Sequence, residues 1–196
     1  RLGETEMGNF VADCVAEAAS APIAVVNGGG IRSSLYAGDV LGSDLSAVCP
    51  FDNTIVVLDM NGQTLIDMLE NGLVGYPKAV TRDDDPNLYH IETEEVFPAG
   101  RFLQVSGITY TFDSALPEGQ RIQSVTLADG TPIDPDATYT VAVNNYMAGA
   151  RGYAENNGDG FTMLNCYDDA TPQGEVTLVN ETNLTYCDAM KLYFEK

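Results

Sequence analysis

The chain has 196 residues, enough to bury one sizeable core, and its hydrophobic share of 44% is ordinary for a globular protein. Its 9 basic against 29 acidic residues leave a net charge of -20, which repels a phosphate backbone at long range and argues against nucleic acid as a partner. No run approaches the ~18 apolar residues of a membrane span, and Cys14, Cys49, Cys166 and Cys187 contain no C-x-x-C pair, which speaks against a zinc site or thioredoxin-like motif and leaves disulfides open.

The opening stretch, RLGETEMGNF, lacks the basic-then-apolar pattern of a signal peptide and reads as the start of an excised domain. From Met7 to about Ala21, apolar Phe10, Val11, Cys14, Val15 and Ala18 recur at helical spacing. This helix feeds an apolar strand over Ile23 to Val26. Ser43 or Asp44 is placed to cap a short helix ending near Cys49, and Pro50-Phe51-Asp52-Asn53 forms a loop before the apolar run Thr54 to Met60. Asn61-Gly62 turns the chain, and Leu65, Ile66, Met68 and Leu69 continue as a helix that stops at Asn71-Gly72.

Gly72 to Gly100 is rich in acidic residues and carries Pro77, Pro86 and Pro98 without a clean period, so it reads as a long surface excursion. Asp83, Asp84 and Asp85 form its densest acidic cluster, but the spacing is not that of a calcium loop, and a solvated surface is the simpler reading. Phe102 to Phe112, Arg121 to Leu127 and Thr138 to Asn144 alternate like strands, separated by turns at Pro117-Glu118-Gly119 and Asp129-Gly130. A last strand over Glu175 to Val179 precedes a helix from about Leu184 to Phe194, and the same region holds two glycosylation patterns, Asn180-Glu181-Thr182 and Asn183-Leu184-Thr185. Helices interleave with both hairpins and crossovers. The fold class expected is therefore α+β: a single domain with a mixed β-sheet and packed helices.

His90 is the only histidine, so a Ser-His-Asp triad, a Cys-His pair or a histidine metal centre would have to use it. It sits beside Tyr89 in the irregular acidic segment and is not read as catalytic. Acid-base work would then fall on carboxylates, and no spacing singles out a pair. The most informative segment is Asn27-Gly28-Gly29-Gly30-Ile31-Arg32. It is a strand-to-loop transition whose bare backbone at Gly29 suits the close approach of a ligand, followed by an arginine fork suited to an anion or a ribose. The final glycine of G-x-G-x-x-G is absent and no G-K-[ST] occurs, so neither a Rossmann fingerprint nor a P-loop is present. Phe51 and Tyr146 each stand in a loop at a strand end, either as core edges or as two flat faces for a planar ring. Asp159, in Asn157-Gly158-Asp159-Gly160-Phe161, is either a plain turn residue or an acid that accepts hydrogen bonds from adjacent hydroxyls.

In this order, the segments resemble the C-terminal domain of the 5'-nucleotidase family, which includes bacterial UDP-sugar hydrolases and animal ecto-5'-nucleotidases. The match rests on Arg1 with Glu4 and Met7-Gly8-Asn9, NGGGIR at 27 to 32, CPF at 49 to 51, GQTL at 62 to 65, GRFLQVSGITYTFD at 100 to 113, YTVAVNNYMA at 139 to 148 and NGDGF at 157 to 161. The resemblance implies that residues 1–196 form a 5'-nucleotidase C-terminal, substrate-binding domain with a surface excursion at about 72–100. Its partner in the same parent protein would be an N-terminal metallophosphatase domain that lies outside this chain. That partner would hold two divalent metal ions and direct water or hydroxide at the terminal phosphate, leaving no cofactor and no catalytic residue here. Carried over position by position, Phe51 and Tyr146 match the base-stacking aromatic pair and Asn27 a polar contact near the base. Arg32 and Arg1 match arginines on the ribose and phosphate side, and Asp159 matches the acid that binds ribose hydroxyls. Tyr146 stands where phenylalanine is usual, and the stretch from Tyr146 to Asp159 is longer than the family pattern. The resemblance also implies an exported location. The alternative is a stand-alone nucleoside- or sugar-binding module.

Overall fold

A computed structural model describes residues 2–78, 80–82, 84, 89–91, 99–150, 157–167 and 176–196. Arg1, Asp83, Asp85 and the stretch 151–156 lie outside them. Helix α1, Glu6–Ala19, starts where Thr5 Oγ1 accepts from the Gly8 N–H at 3.0 Å and ends at Ser20 in the left-handed region (φ 51). Its apolar stripe of Val11, Ala12, Cys14 and Val15 is buried. Strand β1, Ile23–Asn27, follows, then a 3-10 turn over Gly28–Gly30, helix α2 (Gly42–Val48), strand β2 (Thr54–Asn61) and helix α3 (Gly62–Gly72).

Strands β5 (Leu103–Ser106), β8 (Thr138–Asn144) and β9 (Val176–Thr185) complete the main sheet, whose order is β5-β1-β8-β2-β9. The β1–β8 pair is parallel and the other three are antiparallel, so the sheet is mixed, as expected. Its central strands are apolar without alternation because both faces are covered. Ile23, Val25, Val56, Leu58, Val141 and Val143 face one core with Leu65, Met68 and Leu69 of α3. Ala24, Val26, Ile55 and Ala142 face the other, with α1, α2 and α5 (Tyr186–Phe194). Helices on both faces of a mixed sheet make one α+β domain. No helix among the described residues is long and apolar enough to cross a membrane.

Several local expectations are corrected. Residue 41, not Ser43 or Asp44, occupies the N-cap of α2, while Asp44 reaches back to accept from the Leu41 N–H at 2.8 Å. At Asn61-Gly62 the chain passes from β2 straight into α3, and Asn61 Oδ1 caps that helix at the Thr64 N–H, 2.7 Å away. The run 102–112 breaks into β5 and β6 (Ile108–Phe112) at Gly107, whose φ of +79 passes the chain into a separate hairpin with β7 (Ile122–Leu127). A Cβ at Gly107 would overlap the Pro22 carbonyl oxygen.

The segment from Gly72 begins inside the protein, since Leu73 and Tyr76 are buried with Phe102 against Phe112. Farther on, β3 (Val80–Arg82) pairs antiparallel with β4 (Tyr89–Ile91), and His90 lies in that hairpin opposite Thr81. Strand β9 is twice the expected length. Register shifts opposite Val56 and Leu58 break its alternation, and Asn180 and Asn183 interrupt the apolar pattern. Helix α5 then starts at a reciprocal cap, in which Thr185 and Asp188 exchange side-chain-to-backbone bonds.

Candidate nucleoside-binding site

Parallel β1 and β8 end side by side at Asn27 and Asn144, and β2, running the other way, begins there with Ile55 opposite Asn144. One edge of the sheet therefore collects the loops 28–32, 50–53 and 145–150. The glycine loop is tied at both ends: the Gly28 N–H donates to Phe102 O and the Arg32 N–H to Val48 O, each at 2.7 Å. None of Gly28, Gly29 and Gly30 has a positive φ. Gly29 is needed for space: a Cβ there would lie 3.0 Å from Gly100 Cα and 3.1 Å from its carbonyl oxygen. The close approach that this glycine permits is to the protein's own 3-10 turn at Ala99–Arg101.

Asn27 is 5% exposed and makes two side-chain contacts. Its Oδ1 accepts from Asn144 Nδ2 at 3.0 Å, and its Nδ2 reaches Asp159 Oδ2 at 3.5 Å, across 132 positions of sequence. Asp159 stands in α4, Asn157–Gly160, and its backbone oxygen accepts from Asn71 Nδ2 at 3.2 Å. A Cβ added at Gly100 would sit 3.3 Å from Asp159 Oδ1. Arg32 is exposed, with one long bond of 3.5 Å from Nη1 to Gly29 O. Phe51 keeps 47% of its surface exposed, whereas Tyr146 is half-buried against the core. Asn145 joins their two loops, donating its N–H to Thr54 O at 2.8 Å and accepting from the Thr54 N–H on Oδ1 at 3.2 Å.

A model of the 5'-nucleotidase C-terminal domain matches residues 1–165. The chain belongs to this family. It is 36% identical over 163 residues to the trifunctional nucleotide phosphoesterase protein YfkN of Bacillus subtilis, covering 79% of this chain and 10% of that one. Over 174 residues it is 30% identical to a cell wall protein of Listeria monocytogenes, covering 82% and 18% of the two chains. The solved structure of a 5'-nucleotidase precursor from Thermus thermophilus shares the fold with a TM-score of 0.69 and 34% identity, over 97% of this chain and 33% of that one. The chain thus spans a third or less of the length of these relatives.

Within this 5'-nucleotidase C-terminal domain the structure brings Asn27, Gly29, Arg32 and Asp159 to one spot and sets Phe51 and Tyr146 on adjoining loops. Arg1 lies outside the described residues. The residues that follow it run along β5, where Gln104 Nε2 donates to Gly3 O at 2.9 Å. Sequence reasoning passed over Asn144, Asn71 and Gly100. Asn144 was legible only as the end of a strand, and Asn71 only as a helix stop. Tyr186 was also missed. Its ring lies 3.7 Å from where a Cβ of Gly30 would be, and burial pushes its phenol well above the usual range. A hollow of about 740 Å³ lies against β5 and β6. Three of its polar linings are already engaged, Ser106 with Asp13, Gln104 with Gly3 and Tyr110 with Leu103.

Proposed function

We propose that this domain holds the nucleoside part of a nucleotide while another domain of the same protein hydrolyses the phosphate ester. The observation that carries this reading is the contact between the Asn27 amide and the Asp159 carboxylate beside the Gly29–Gly100 junction. In it, Phe51 and Tyr146 stack on the base, Asn27 meets the base edge, and Asp159 accepts from ribose hydroxyls. Arg32 faces the phosphate, and the family resemblance gives Arg1, outside the described residues, the same role. The relative named a nucleotide phosphoesterase supports a nucleotide as substrate, and the one named a cell wall protein supports an exported setting.

The two divalent ions belong, in this reading, to the metallophosphatase domain. Among the described residues no group of three or more His, Cys, Asp or Glu side chains stands together to hold a metal. What these residues do is bind and orient. Two stacks at roughly 1 to 3 kcal/mol each, set against the cost of ordering the ligand, leave an affinity on the order of millimolar for this half alone. Tighter binding and turnover then require closure of the other domain over the substrate. The test is a titration of the full-length protein with a nucleoside monophosphate while the ring signals of Phe51 and Tyr146 are followed by NMR. Both shift if the reading is right; silence at several millimolar ligand would sink it.

A further inference from the structure

Between the Met147 backbone and the Asp159 carboxylate runs a chain of two amides whose direction is set from both ends. The Met147 N–H can only donate, and it donates to Asn144 Oδ1 at 2.8 Å. An ionised carboxylate can only accept. Asn144 must therefore turn its Nδ2 toward Asn27, whose Oδ1 receives it at 3.0 Å, and Asn27 must turn its own Nδ2 toward Asp159 Oδ2. Reversing Asn144 alone would place N–H against N–H at Met147 and oxygen against oxygen at Asn27. Reversing both amides would mend the middle and leave a clash at each end. Asn144 is 1% exposed and Asn27 5%, so water is not at hand to satisfy a wrong arrangement.

We propose that Asn144, which is not itself placed against the ligand, is a positioning residue for ribose recognition: it holds Asn27 donor-forward, and Asn27 in turn holds the Asp159 carboxylate in place. This rests on the nucleoside reading above. The Asp159 backbone is pinned separately by Asn71, and Gly160 after it sits at φ +86, so the side-chain direction is what the relay controls. With Oδ2 held from behind by Asn27, the remaining acceptor positions of the carboxylate serve two neighbouring hydroxyls. The site thus selects a ribonucleoside over its 2'-deoxy counterpart.

The decisive substitution is Asn144→Asp, isosteric and still able to accept from Met147. Tested at a pH where its carboxyl is ionised, it presents a second acceptor to Asn27, which turns over and aims its oxygen at Asp159, displacing that carboxylate; in the protonated form it would donate to Asn27 and keep the wild-type pattern. In the full-length protein, wild type binds adenosine at least about tenfold more tightly than 2'-deoxyadenosine, the size expected for one hydrogen bond to a charged group. The Asn144→Asp variant loses that ratio while base stacking keeps the deoxynucleoside affinity near wild type. A ratio unchanged in a folded Asn144→Asp protein overturns the proposal, as does an equal loss for both ligands. Pairing Asn144→Asp with Asp159→Asn restores complementarity, because the new amide donates to the inverted Asn27. The double variant therefore unfolds at a higher temperature than Asn144→Asp alone, and a double variant no more stable than the single one counts against the relay.

Should Asn144→Asp not fold, the wild type and Asp159→Asn decide. The side-chain amide signals of Asn27 move on Asp159→Asn if the two groups are coupled, and a stationary Asn27 amide refutes the relay. The stability and amide measurements need no ligand, so they stand even if the protein binds no nucleoside.

Discussion

Phe51→Ala separates a binding role from a structural one. The ring is 47% exposed on a loop whose far end is clamped by Asn145 and Thr54. Fully burying a phenylalanine contributes roughly 1.5 to 3 kcal/mol, so a half-buried ring whose loss opens no internal cavity costs about 1 kcal/mol of stability. In a domain of this size that lowers the melting temperature by about 2 to 4 °C. The stack on a base is worth roughly 1 to 3 kcal/mol, so nucleoside monophosphate affinity falls roughly 5- to 150-fold. Inorganic phosphate, which has no ring to stack, is unaffected. Calorimetric titration of the full-length protein with each ligand, together with a melting curve, reads all three quantities, and Phe51→Tyr retains most of the affinity. Equal losses for phosphate and nucleotide, or a melting shift several times larger than this, would refute the assignment of Phe51 as a stacking face.

Arg32→Ala leaves the unfolding free energy within about 0.5 kcal/mol of wild type, because the side chain is exposed with one long bond to Gly29, yet it weakens nucleotide binding. A variant that fails to fold would make Arg32 structural. Gly107→Ala places a methyl against the Pro22 carbonyl at φ +79 and costs about 3 kcal/mol or more, measured by denaturant unfolding; a loss under about 1 kcal/mol would mean the β5–β6 junction yields freely. Cys14 and Cys49 are pushed up to about 12 from 9.0 by burial, so both resist a thiol reagent at pH 8 until the protein unfolds. Because the folded-state value is raised, the neutral thiols contribute their full stability below pH 9 and lose it as pH rises from 9 toward 12. Melting temperatures across that window fall, and serine at both positions flattens the decline.

Local rules place the main elements of the two cores. The stripe of α1 and the apolar runs of β1, β2 and β8 declare their elements because each is continuous and bounded by turn residues. The ends of β5 and β9 were not legible. Gly107 and the shifted register of β9 are answers to neighbours, Pro22 in one case and β2 in the other, that lie far away in sequence.

The candidate site divides in the same way. The residue types that bear on chemistry, an arginine after three glycines, two aromatics at strand ends and an acid between glycines, are visible in the chain, and so is the family they resemble. That Asn27 reaches Asp159, that Gly29 clears Gly100, and that Asn144 orients Asn27 was decided only in three dimensions. A hydrogen bond or a close approach between residues more than 70 positions apart leaves no period in either segment. It exists only because parallel β1 and β8 end on the same edge of one sheet.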